Sequence, residues 1–330
     1  MYCDKIPSHS IDILREIVLD MLKQIPAGMV TTYGDIASAL GDIRASRAIG
    51  KVVSENPFPV IVPCHRVVYS NGEIGWYGGY GKGTEEKKEL LMKEGVQIEN
   101  NKVKDFERIR FRAFTAPPIL KLLLEKQLKM KSLVIENDVF ESARYVAGID
   151  VSYEGNKGYA AIAVLDMDAG EFVEERVVVK DARFPYIPSY LGFREIPVIA
   201  DLITFKPHTI YLIDGHGVLH PRGFGIASHI GVEFDVPTIG IAKELLVGTI
   251  QDKNSEISAV ILDNKIRGYR VQIEKWGTRI ISAGHKISLE SALDIYIKCL
   301  RQHSTDPLRK AHRIANNARK SSEHQRRDAL

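Results

Sequence analysis

The sequence contains little cysteine and no long apolar run. Its three cysteines, Cys3, Cys64 and Cys299, are too few and too scattered for a disulfide framework, so we expect a reducing, cytoplasmic setting. No apolar run reaches the length of about 18 residues that a membrane span needs, and the first residues lack the apolar core of a signal peptide. The sequence therefore argues against a disulfide-stapled secreted protein and against a membrane protein.

An excess of charge of one sign is also missing. The 45 Lys and Arg residues nearly balance the 42 Asp and Glu residues, which leaves a net charge of +3. Composition alone therefore does not indicate a nucleic-acid-binding protein. Basic residues do cluster near the end of the chain, at Arg309, Lys310, Arg313, Arg319, Lys320, Arg326 and Arg327. Such a cluster is usually a solvated helix face or a disordered tail, and contact with a nucleic-acid backbone is the alternative.

The chain is long enough for two domains. It has 330 residues, of which 45% are hydrophobic, so each domain can bury a core. The pattern changes near residue 110, and a Pro-Pro pair follows at positions 117 and 118. We therefore predict a first domain over residues 1–110, a linker over 111–118 and a second domain over 119–330.

The first region is predicted to be mainly helical. Apolar residues at helical spacing predict a helix over residues 10–24. Thr32 can cap a second helix that ends at Gly41, and a third helix over about residues 45–55 stops before Pro57. The last two helices indicate a helix-turn-helix, whose second helix lies against DNA.

The second region alternates strand-like and helical stretches, which is typical of a sheet with helices on its faces. Strands are predicted over residues 146–151, 159–165, 177–180, 209–214, 236–241 and 258–262. Helices are predicted over residues 195–203 and 289–300.

A cysteine stands between a proline and a histidine in Pro63-Cys64-His65-Arg66. A thiol becomes an effective nucleophile when a base removes its proton, and His65 is an adjacent base. By itself, such a pair is more often a buried structural cysteine with a chance neighbour. The surrounding motifs favour the reactive interpretation.

These motifs resemble the active-site domain of the O6-alkylguanine-DNA alkyltransferases over about residues 8–104. In order, they are Thr31-Thr32-Tyr33-Gly34-Asp35-Ile36-Ala37, Ser46-Arg47-Ala48-Ile49-Gly50, Asn56-Pro57, Pro63-Cys64-His65-Arg66-Val67 and Glu94-Gly95. They match the start of the helix-turn-helix, the recognition helix, the hinge asparagine, the reactive-cysteine motif and a distal glutamate. Two features depart from the family: Trp76 replaces a small or polar residue, and segment 78–83 is longer than the usual Gly-rich loop.

The resemblance implies that Cys64 irreversibly accepts an alkyl group from O6-alkylguanine in DNA, without a cofactor. His65 would take the thiol proton through a water, and Glu94 would orient His65. The residues implied at the DNA interface are Tyr33, Arg47, Asn56 and Tyr77. Tyr33 would promote rotation of the nucleotide and Arg47 would fill the vacated stack. Asn56 would form the hinge, and Tyr77 would line the base pocket. The alternative is a non-catalytic lesion-binding module, against which the presence of Cys64 argues.

Two aspartates, Asp150 and Asp214, end or interrupt apolar strands. An unpaired carboxylate in such a position is costly, so a cation partner is an economical explanation. Either aspartate could instead cap a helix or pair with Lys243. Because Asp214 is followed by Gly-His-Gly, we favour a metal. Mg²⁺ prefers carboxylate oxygens, and phosphodiester hydrolysis needs charge neutralisation and an activated water.

About residues 118–327 resemble endonuclease V, the nuclease that nicks DNA beside deoxyinosine. The motifs that carry this resemblance are Gly148-Ile149-Asp150-Val151-Ser152, Phe184-Pro185-Tyr186-Ile187-Pro188, Phe193-Arg194-Glu195, Asp214-Gly215-His216-Gly217, His220-Pro221-Arg222, Gly240-Ile241-Ala242-Lys243, Ser282-Ala283-Gly284-His285-Lys286 and Pro307-Leu308-Arg309-Lys310-Ala311-His312. They follow one another in the family's order and cover nearly the whole second region.

The endonuclease V resemblance also implies roles for individual residues. The implied ligands of Mg²⁺, with Mn²⁺ as the alternative, are Asp150, Asp214, Glu195 and His312. Lys243 would stabilise negative charge near the scissile phosphate. The residues implied in DNA binding are Pro185, Tyr186, Gly215, His216, Gly217, His220 and Arg222. The first two would form a wedge that enters a base step, the glycines would let the backbone approach a flipped base, and the others would contact phosphates or line its pocket.

Together these inferences predict a bifunctional DNA-repair enzyme. Its expected fold is a mainly helical, winged helix-turn-helix-like first domain followed by an α/β, RNase H-like second domain. The expected partner is damaged DNA that contains O6-alkylguanine or deoxyinosine. Inosine-containing RNA is the alternative substrate of the nuclease, and we expect the protein to be a monomer.

Overall fold

The computed structural model describes residues 13–77, 83–204 and 207–327. Two compact units make up the described chain. One contains the described residues up to Glu125 together with Phe184–Tyr190, and the other contains Lys126–Arg183 and the described residues from Leu191 onward. The start of the predicted helix over residues 10–24 and most of segment 78–83 lie outside the described residues. No helix in the described ranges is long and apolar enough to cross a membrane.

The first unit is mainly helical, as predicted. Its elements are α1 (Ile13–Lys23), β1 (Thr31–Thr32), α2 (Tyr33–Ala39), α3 (Ser46–Ser54), β2 (Val67–Val68), α4 (Gly83–Lys93), β3 (Ile98–Glu99), β4 (Lys102–Val103) and the start of α5 (Ile119–Lys131). β1 and β2 pair in parallel, and β3 and β4 pair antiparallel.

The predicted cap of α2 is present. Thr32 Oγ1 accepts a hydrogen bond from the backbone N of Asp35 at 3.0 Å, and Asp35 Oδ2 accepts one from the backbone N of Thr32 at 3.1 Å. This capping box satisfies donors that the first turn of a helix leaves unpaired. The helix ends before Gly41, whose φ of +102° belongs to the left-handed region that glycine adopts readily.

Residues 111–118, predicted as a linker, instead belong to the first unit. The backbone N of Phe111 donates to the carbonyl of Val30 at 2.7 Å, and Thr31 Oγ1 donates to the carbonyl of Phe111 at 2.9 Å. Thr115 exchanges hydrogen bonds with the side-chain amide of Gln24. The composition change therefore marks an ordered segment before α5. The bounds of the two functional domains stay a prediction.

The second unit contains the predicted strands and helices together with several that the sequence did not predict. Its elements after α5 are β5 (Tyr145–Glu154), β6 (Lys157–Asp166), β7 (Glu171–Asp181), α6 (Leu191–Ile199), β8 (Thr209–Asp214), α7 (Ile226–Phe234), β9 (Thr238–Ala242), β10 (Thr249–Ile250), β11 (Ile257–Leu262), β12 (Lys265–Ile273), β13 (Gly277–His285), α8 (Leu289–Arg301) and α9 (Pro307–Arg327). The elements β12, β13, α7 and α9 are among the unpredicted ones.

Within the described residues, the strands of this unit form one nine-stranded sheet in the order β10-β11-β12-β13-β9-β8-β5-β6-β7. β5, β8 and β9 are parallel neighbours at its centre, and the pairs that flank them are antiparallel. Side chains alternate between two cores: Val146 packs in the same cluster as Tyr296 of α8, and Ala147 packs in the same cluster as Ile230 of α7. Helices therefore cover both faces of the sheet, as predicted.

Helix α9 lies against β5 at Gly148. A Cβ atom added to Gly148 would lie 2.2 Å from the carbonyl carbon of Pro307, much closer than ordinary contact. Asp150 lies two residues further along the strand and shares this face of the sheet. The close approach therefore brings the first turns of α9 over Asp150.

Candidate active sites

The reactive-cysteine motif forms a buried turn in the first unit. Cys64 and His65 lie in a 3-10 turn, Cys64–Arg66, that follows Pro63 and leads into β2. Only 5% of Cys64 and 1% of His65 are exposed. Because a buried thiolate loses its hydration, protein groups around Cys64 have to stabilise its charge.

His65 is held by Glu94 through one ring nitrogen. Its Nε2 donates to Glu94 Oε1 over 2.9 Å, since an ionised carboxylate only accepts. Burial lowers the pKa of His65 against the effect of Glu94, so the ring is neutral at neutral pH. Its Nδ1 then carries a lone pair, is buried and has no hydrogen-bond partner among the described residues. This atom is the one available to accept a proton.

Arg66 fixes Glu94, a role that the sequence did not predict. Its Nε donates to the two carboxylate oxygens at 3.1 and 2.9 Å, and a terminal nitrogen donates to Oε1 at 2.7 Å. Although burial opposes ionisation, hydrogen bonds from Arg66 and His65 lower the pKa of Glu94. Glu94 is therefore a carboxylate that keeps the His65 ring in one orientation.

Asn56 lies inside the first unit, with 4% of its surface exposed. Its Nδ2 donates to Cys64 Sγ at 3.1 Å and to the carbonyl of Val62 at 2.9 Å, and its Oδ1 accepts from the backbone N of Phe58 at 3.0 Å. The sequence predicted a residue of the DNA interface here. The observed contacts of Asn56 are to the protein, and they place a donor on the thiol.

Tyr33 and Tyr77 lie close enough to Cys64 for its charge to act on them. Burial first, then Tyr69 and Cys64, raise the pKa of Tyr33 to about 12. Burial and the charge of Cys64 also raise the pKa of Tyr77, of which 3% is exposed. The aromatic residues therefore line the surroundings of the thiol, while Arg47 is exposed on α3.

Lys87 is a second residue that the sequence did not single out. Only 1% of it is exposed, and its Nζ donates to the carbonyl of Val67 at 2.5 Å. Burial lowers the pKa of Lys87 to about 8, and the negative charge of Cys64 acts in the opposite direction. The thiol site therefore contains a buried ammonium group within reach of the charge on Cys64.

The second unit brings Asp150 and Asp214 together, as the sequence suggested. Ile149 of β5 is level with Ile213 of β8, so the next residues, Asp150 and Asp214, stand side by side on neighbouring parallel strands. Burial and the charge of Asp214 raise the pKa of Asp150. Two carboxylates in this position repel each other unless a cation neutralises them.

Each aspartate has a basic partner. Lys243, which follows β9, donates from Nζ to Asp214 Oδ2 at 3.1 Å, and His312 Nδ1 lies 2.9 Å from Asp150 Oδ2. Asn316 contacts the other nitrogen of His312 at 2.9 Å. His312, predicted as a metal ligand, thus has both ring nitrogens engaged by protein groups.

Glu195 contributes a further acidic group. Burial and the charges of Asp150 and Asp214 raise the pKa of Glu195 to about 8. In the part of the chain that is described, no three His, Cys, Asp or Glu side chains are already grouped to hold one metal ion. Asp150 is buried and Asp214 is half-buried, and their mutually repelling carboxylates nevertheless suit a hard cation such as Mg²⁺. The ligand role of Glu195 stays a prediction.

A cleft of about 450 Å³ opens beside this pair. Asp214, Lys243 and His312 lie on its wall. Three residues that the sequence did not single out, Lys275, Trp276 and Arg279, also line it, together with Arg309 of the basic cluster near the end of the chain. Such a lining suits a nucleic-acid backbone with an adjacent base.

The predicted wedge is an exposed aromatic on an anchored segment of the first unit. Phe184 and Ile187 are buried, and 64% of Tyr186 between them is exposed. The hydroxyl of the buried Tyr190 donates to the carbonyl of Leu120 at 3.1 Å. Pro185 adds stiffness beside Tyr186. The segment is therefore already held in place, and it presents the Tyr186 ring to solvent.

The glycines after Asp214 serve the protein's own packing. The backbone N of Gly215 donates to the carbonyl of Ile241 at 3.0 Å, and that of Gly217 donates to Ser282 Oγ at 2.9 Å. A Cβ at Gly217 would lie 1.9 Å from the carbonyl oxygen of Ala283. We expected these amides to face a flipped base, but both are already used within the sheet.

The remaining predicted residues of this loop are largely enclosed. His216 is 6% and His220 8% exposed. His216 Nε2 donates to the carbonyl of Glu244 at 3.0 Å, and His220 Nδ1 accepts from the backbone N of Arg222 at 3.2 Å. His220 and Arg222 line a polar cavity of about 300 Å³ that Asp150 and Asp214 do not line. His220 and Arg222 therefore line a different cavity from the cleft beside the carboxylate pair.

Comparisons with known proteins match both units. The family model of endonuclease V matches residues 128–313, and that of the DNA-binding domain of 6-O-methylguanine DNA methyltransferase matches residues 14–96. A bifunctional methyltransferase/endonuclease of Picrophilus torridus is 38% identical over 304 residues, which cover 92% of this chain and 96% of that protein.

Solved structures give the same result for the second unit. The catalytic domain of human endonuclease V aligns with a TM-score of 0.57 and 28% identity, covering 62% of this chain and 97% of that one. Ciona intestinalis endonuclease V, solved in complex with DNA containing an inosine followed by a ribo-adenosine, aligns with a TM-score of 0.54 and 26% identity. That alignment covers 61% of this chain and 98% of the Ciona protein.

Proposed function

Because this chain belongs to the endonuclease V family and, over nearly its whole length, to the bifunctional methyltransferase/endonucleases, we propose that it repairs DNA by two separate reactions. Cys64 accepts the alkyl group of O6-alkylguanine, and the second unit nicks DNA on the 3′ side of deoxyinosine. The observation that carries this proposal is that one chain holds both a Cys64-His65-Glu94 set and a paired Asp150 and Asp214.

The alkyl transfer begins with removal of the thiol proton. His65 Nδ1 accepts that proton through a water, while Glu94 keeps Nε2 protonated. The Asn56 amide donates to the resulting thiolate, and the Lys87 ammonium adds positive potential. Sulfur then forms a bond to the alkyl carbon, the bond from carbon to O6 breaks, and its electron pair leaves with the guanine. The thioether is stable, so each molecule acts once.

The target base has to leave the duplex, because O6 faces its pairing partner inside the helix. We assign α2 and α3 to a winged helix-turn-helix that binds the DNA. The exposed Arg47 on α3 fills the space left by the flipped base, and Tyr33 acts at the neighbouring phosphate. Exposure of Arg47 and the closeness of Tyr33 to Cys64 support these roles.

The nuclease reaction uses the carboxylate pair of an RNase H-like sheet. Asp150 and Asp214 hold Mg²⁺, with Mn²⁺ as the alternative, and Glu195 belongs to the same acidic site. A bound divalent cation supplies charge neutralisation at the phosphate and an activated water. Lys243 adds a positive charge beside Asp214, where negative charge develops on the phosphate.

Recognition of the deaminated base uses exposed groups outside this pair. Tyr186 enters the base stack as a wedge, which its 64% exposure and anchored flanks support. The cleft with Lys275, Arg279 and Arg309 holds the sugar-phosphate backbone. The substrate is DNA, because the first unit acts on DNA lesions. Inosine-containing RNA is the competing substrate, and matched RNA and DNA strands with one inosine distinguish them.

A reducing compartment such as the cytoplasm suits the first reaction. Both cysteines among the described residues, Cys64 and Cys299, are free and buried. A disulfide at Cys64 would remove the nucleophile. We further propose that the protein acts as a monomer, since each reaction uses side chains of one chain.

The first experiment measures the mass of the intact protein after incubation with duplex DNA containing O6-methylguanine. A gain of one methyl group in the wild type and in Cys299→Ser, but not in Cys64→Ser, supports the proposal. Wild-type protein that binds the lesion without gaining mass would instead make the first unit a lesion-binding module.

The second experiment measures nicking of inosine-containing DNA by Asp214→Ala. Nicking should be lost in this variant and after addition of EDTA, while methyl transfer to Cys64 continues. The exposed Asp181 in β7 provides a matched control, and Asp181→Ala should nick like the wild type. If Asp214→Ala loses both activities while remaining folded, the two reactions are not independent.

A further inference from the structure

A continuous series of hydrogen bonds leads from α9 to Asp150 in the second unit. Arg319 Nε donates to Ser152 Oγ at 3.0 Å, and Ser152 Oγ donates to Asn316 Oδ1 at 3.0 Å. Asn316 Nδ2 lies 2.9 Å from His312 Nε2, and His312 Nδ1 lies 2.9 Å from Asp150 Oδ2. Every link in the series is a side-chain contact at normal hydrogen-bond distance.

The backbone carbonyl of His312 fixes the direction of these bonds, because a carbonyl oxygen only accepts and Asn316 Nδ2 donates to it at 3.1 Å. The NH₂ group of Asn316 therefore faces His312. Its Oδ1 accepts from the hydroxyl of Ser152, which in turn accepts from Arg319. His312 Nε2 is therefore an acceptor. Its proton lies on Nδ1 and is donated to Asp150.

The fold explains why these residues meet. Asn316 follows His312 by four positions on α9, so both lie on the same side of the helix. Ser152 follows Asp150 by two positions on β5, so both face α9. The contact between Gly148 and Pro307 fixes the helix on the strand. Arg319 is in turn paired with Glu323 one turn later.

We propose that Asn316, fixed by Ser152 and Arg319, is a positioning residue of the nuclease that holds His312 as an Nδ1–H donor to Asp150. His312 then orients the Asp150 carboxylate, and its one free lone pair, on Nε2, accepts from Asn316 instead of binding a cation. The inference rests on the proposed function only in taking Asp150 as a residue of the nuclease site. It replaces the direct metal-ligand role that the sequence suggested for His312.

The experiment reads the His312 tautomer by ¹⁵N NMR of the full-length, metal-free protein, labelled at its 10 histidines. The pH is kept high enough for neutral imidazole. The His312 signals are those missing in His312→Gln. We expect the Nδ1–H tautomer in the wild type, and a mixture of tautomers in Asn316→Leu. The neighbouring Asn317 is exposed, so Asn317→Leu is a matched control that should keep the wild-type signals.

Nicking kinetics provide the second readout. Removing a group that hydrogen-bonds to and orients an active-site side chain typically lowers activity about 10–100-fold. The kcat of Asn316→Leu should therefore fall by this factor, with little change in KM. Asn317→Leu should keep the wild-type kcat. An Nε2–H tautomer in the wild type, or unchanged tautomer and kcat in Asn316→Leu, would overturn the proposal.

These readouts separate the inference from the proposed function. The tautomer is measured without DNA or metal, so a protein that never nicks inosine-containing DNA still reveals whether Asn316 controls His312. Thermal unfolding of each variant shows whether α9 stays docked. If Asn316→Leu does not fold, Ser152→Ala is measured instead. This change removes the next member of the series and should likewise give a mixture of His312 tautomers. Wild-type His312 signals in Ser152→Ala would overturn the proposal.

Discussion

The side-chain amide of Asn56 donates to Cys64 Sγ at 3.1 Å, across eight positions of sequence. The same nitrogen donates to the carbonyl of Val62 at 2.9 Å, and the amide oxygen accepts from the backbone N of Phe58 at 3.0 Å. The amide therefore binds both ends of the turn, Phe58 to Val62, that precedes the cysteine. Val60 within this turn has a φ of 74°, which is uncommon for a β-branched residue. The hydrogen bonds of Asn56 therefore both maintain a strained turn and place a donor on the nucleophile.

Replacing Asn56 by alanine should slow alkyl transfer. The thiolate loses a hydrogen bond and the Val62 carbonyl loses its donor, each at a cost of about 1–3 kcal/mol. We expect the single-turnover rate of methyl transfer to fall at least about tenfold, and its pH profile to move towards higher pH. Asn71 is exposed, so Asn71→Ala serves as a control. An unchanged rate and profile in Asn56→Ala would show that the amide does not act on the thiolate.

Removing the buried charge of Lys87 should also slow alkyl transfer. Lys87→Met keeps an unbranched side chain, shorter by the terminal nitrogen, and removes the positive potential near Cys64. With the pKa of Lys87 at about 8, the wild-type rate should decline as pH rises through this value, and Lys87→Met should lack this decline. Single-turnover rates between pH 7 and pH 9 test both points.

The adjacent Lys88 on α4 is the matched control for this experiment. It is partly exposed and pairs with Glu85 at 2.6 Å. Lys88→Met should therefore show the wild-type rate and pH profile. If Lys87→Met retains the decline near pH 8, another group is responsible for it.

The two lysines also show what the sequence could predict. The capping box at Thr32 and the strands around Asp150 and Asp214 depend on local residue types and spacing, and their predictions are confirmed. Lys87 and Lys88 are identical in type and lie in a charged stretch, which predicts a solvated helix. Only the packing of α4 on the Cys64 turn decides which of them is buried.

The unpredicted parts of the site depend on contacts between distant positions. Asn316 reaches Ser152 across 164 positions, and Arg66 reaches Glu94 across 28. β12 was missed because most of its residues are charged or at least half-exposed, which weakens the period of two. β13 was missed because its buried residues form a run without alternation. A single sequence therefore predicted the reactive residue types, while the residues that orient them required the fold.

Acid should destabilise the second unit through His229. This histidine of α7 is 2% exposed, and its ring contacts those of Phe193 and Phe224. Burial, with a smaller effect from Lys126, lowers the pKa of His229 from 6.5 to about 3. The unfolded chain therefore binds a proton that the folded chain does not. The contribution of neutral His229 to the free energy of unfolding is fully present above pH 6.5 and decreases as the pH falls towards about 3.

Urea unfolding at several pH values tests this prediction in a Trp76→Phe background. The chain has two tryptophans, so Trp276 then reports the second unit alone. His229→Leu should reduce the acid slope of the unfolding free energy by up to about 1.4 kcal/mol per pH unit. The exposed His324 is the control, and His324→Leu should keep the slope. The same slope in His229→Leu and the wild type would exclude His229 as its source.

Adding one methyl group at Gly148 should separate α9 from β5. The new Cβ would lie 2.2 Å from the carbonyl carbon of Pro307, and a backbone atom cannot move aside as a flexible side chain can. Overpacking of this kind costs about 1–3 kcal/mol. Gly148→Ala should therefore be less stable and nick poorly because His312 loses contact with Asp150, while methyl transfer to Cys64 continues. At Gly34 an added Cβ meets only ordinary contacts, so Gly34→Ala controls for the substitution itself. Wild-type nicking by Gly148→Ala would show that docking of α9 at this point does not support the nuclease.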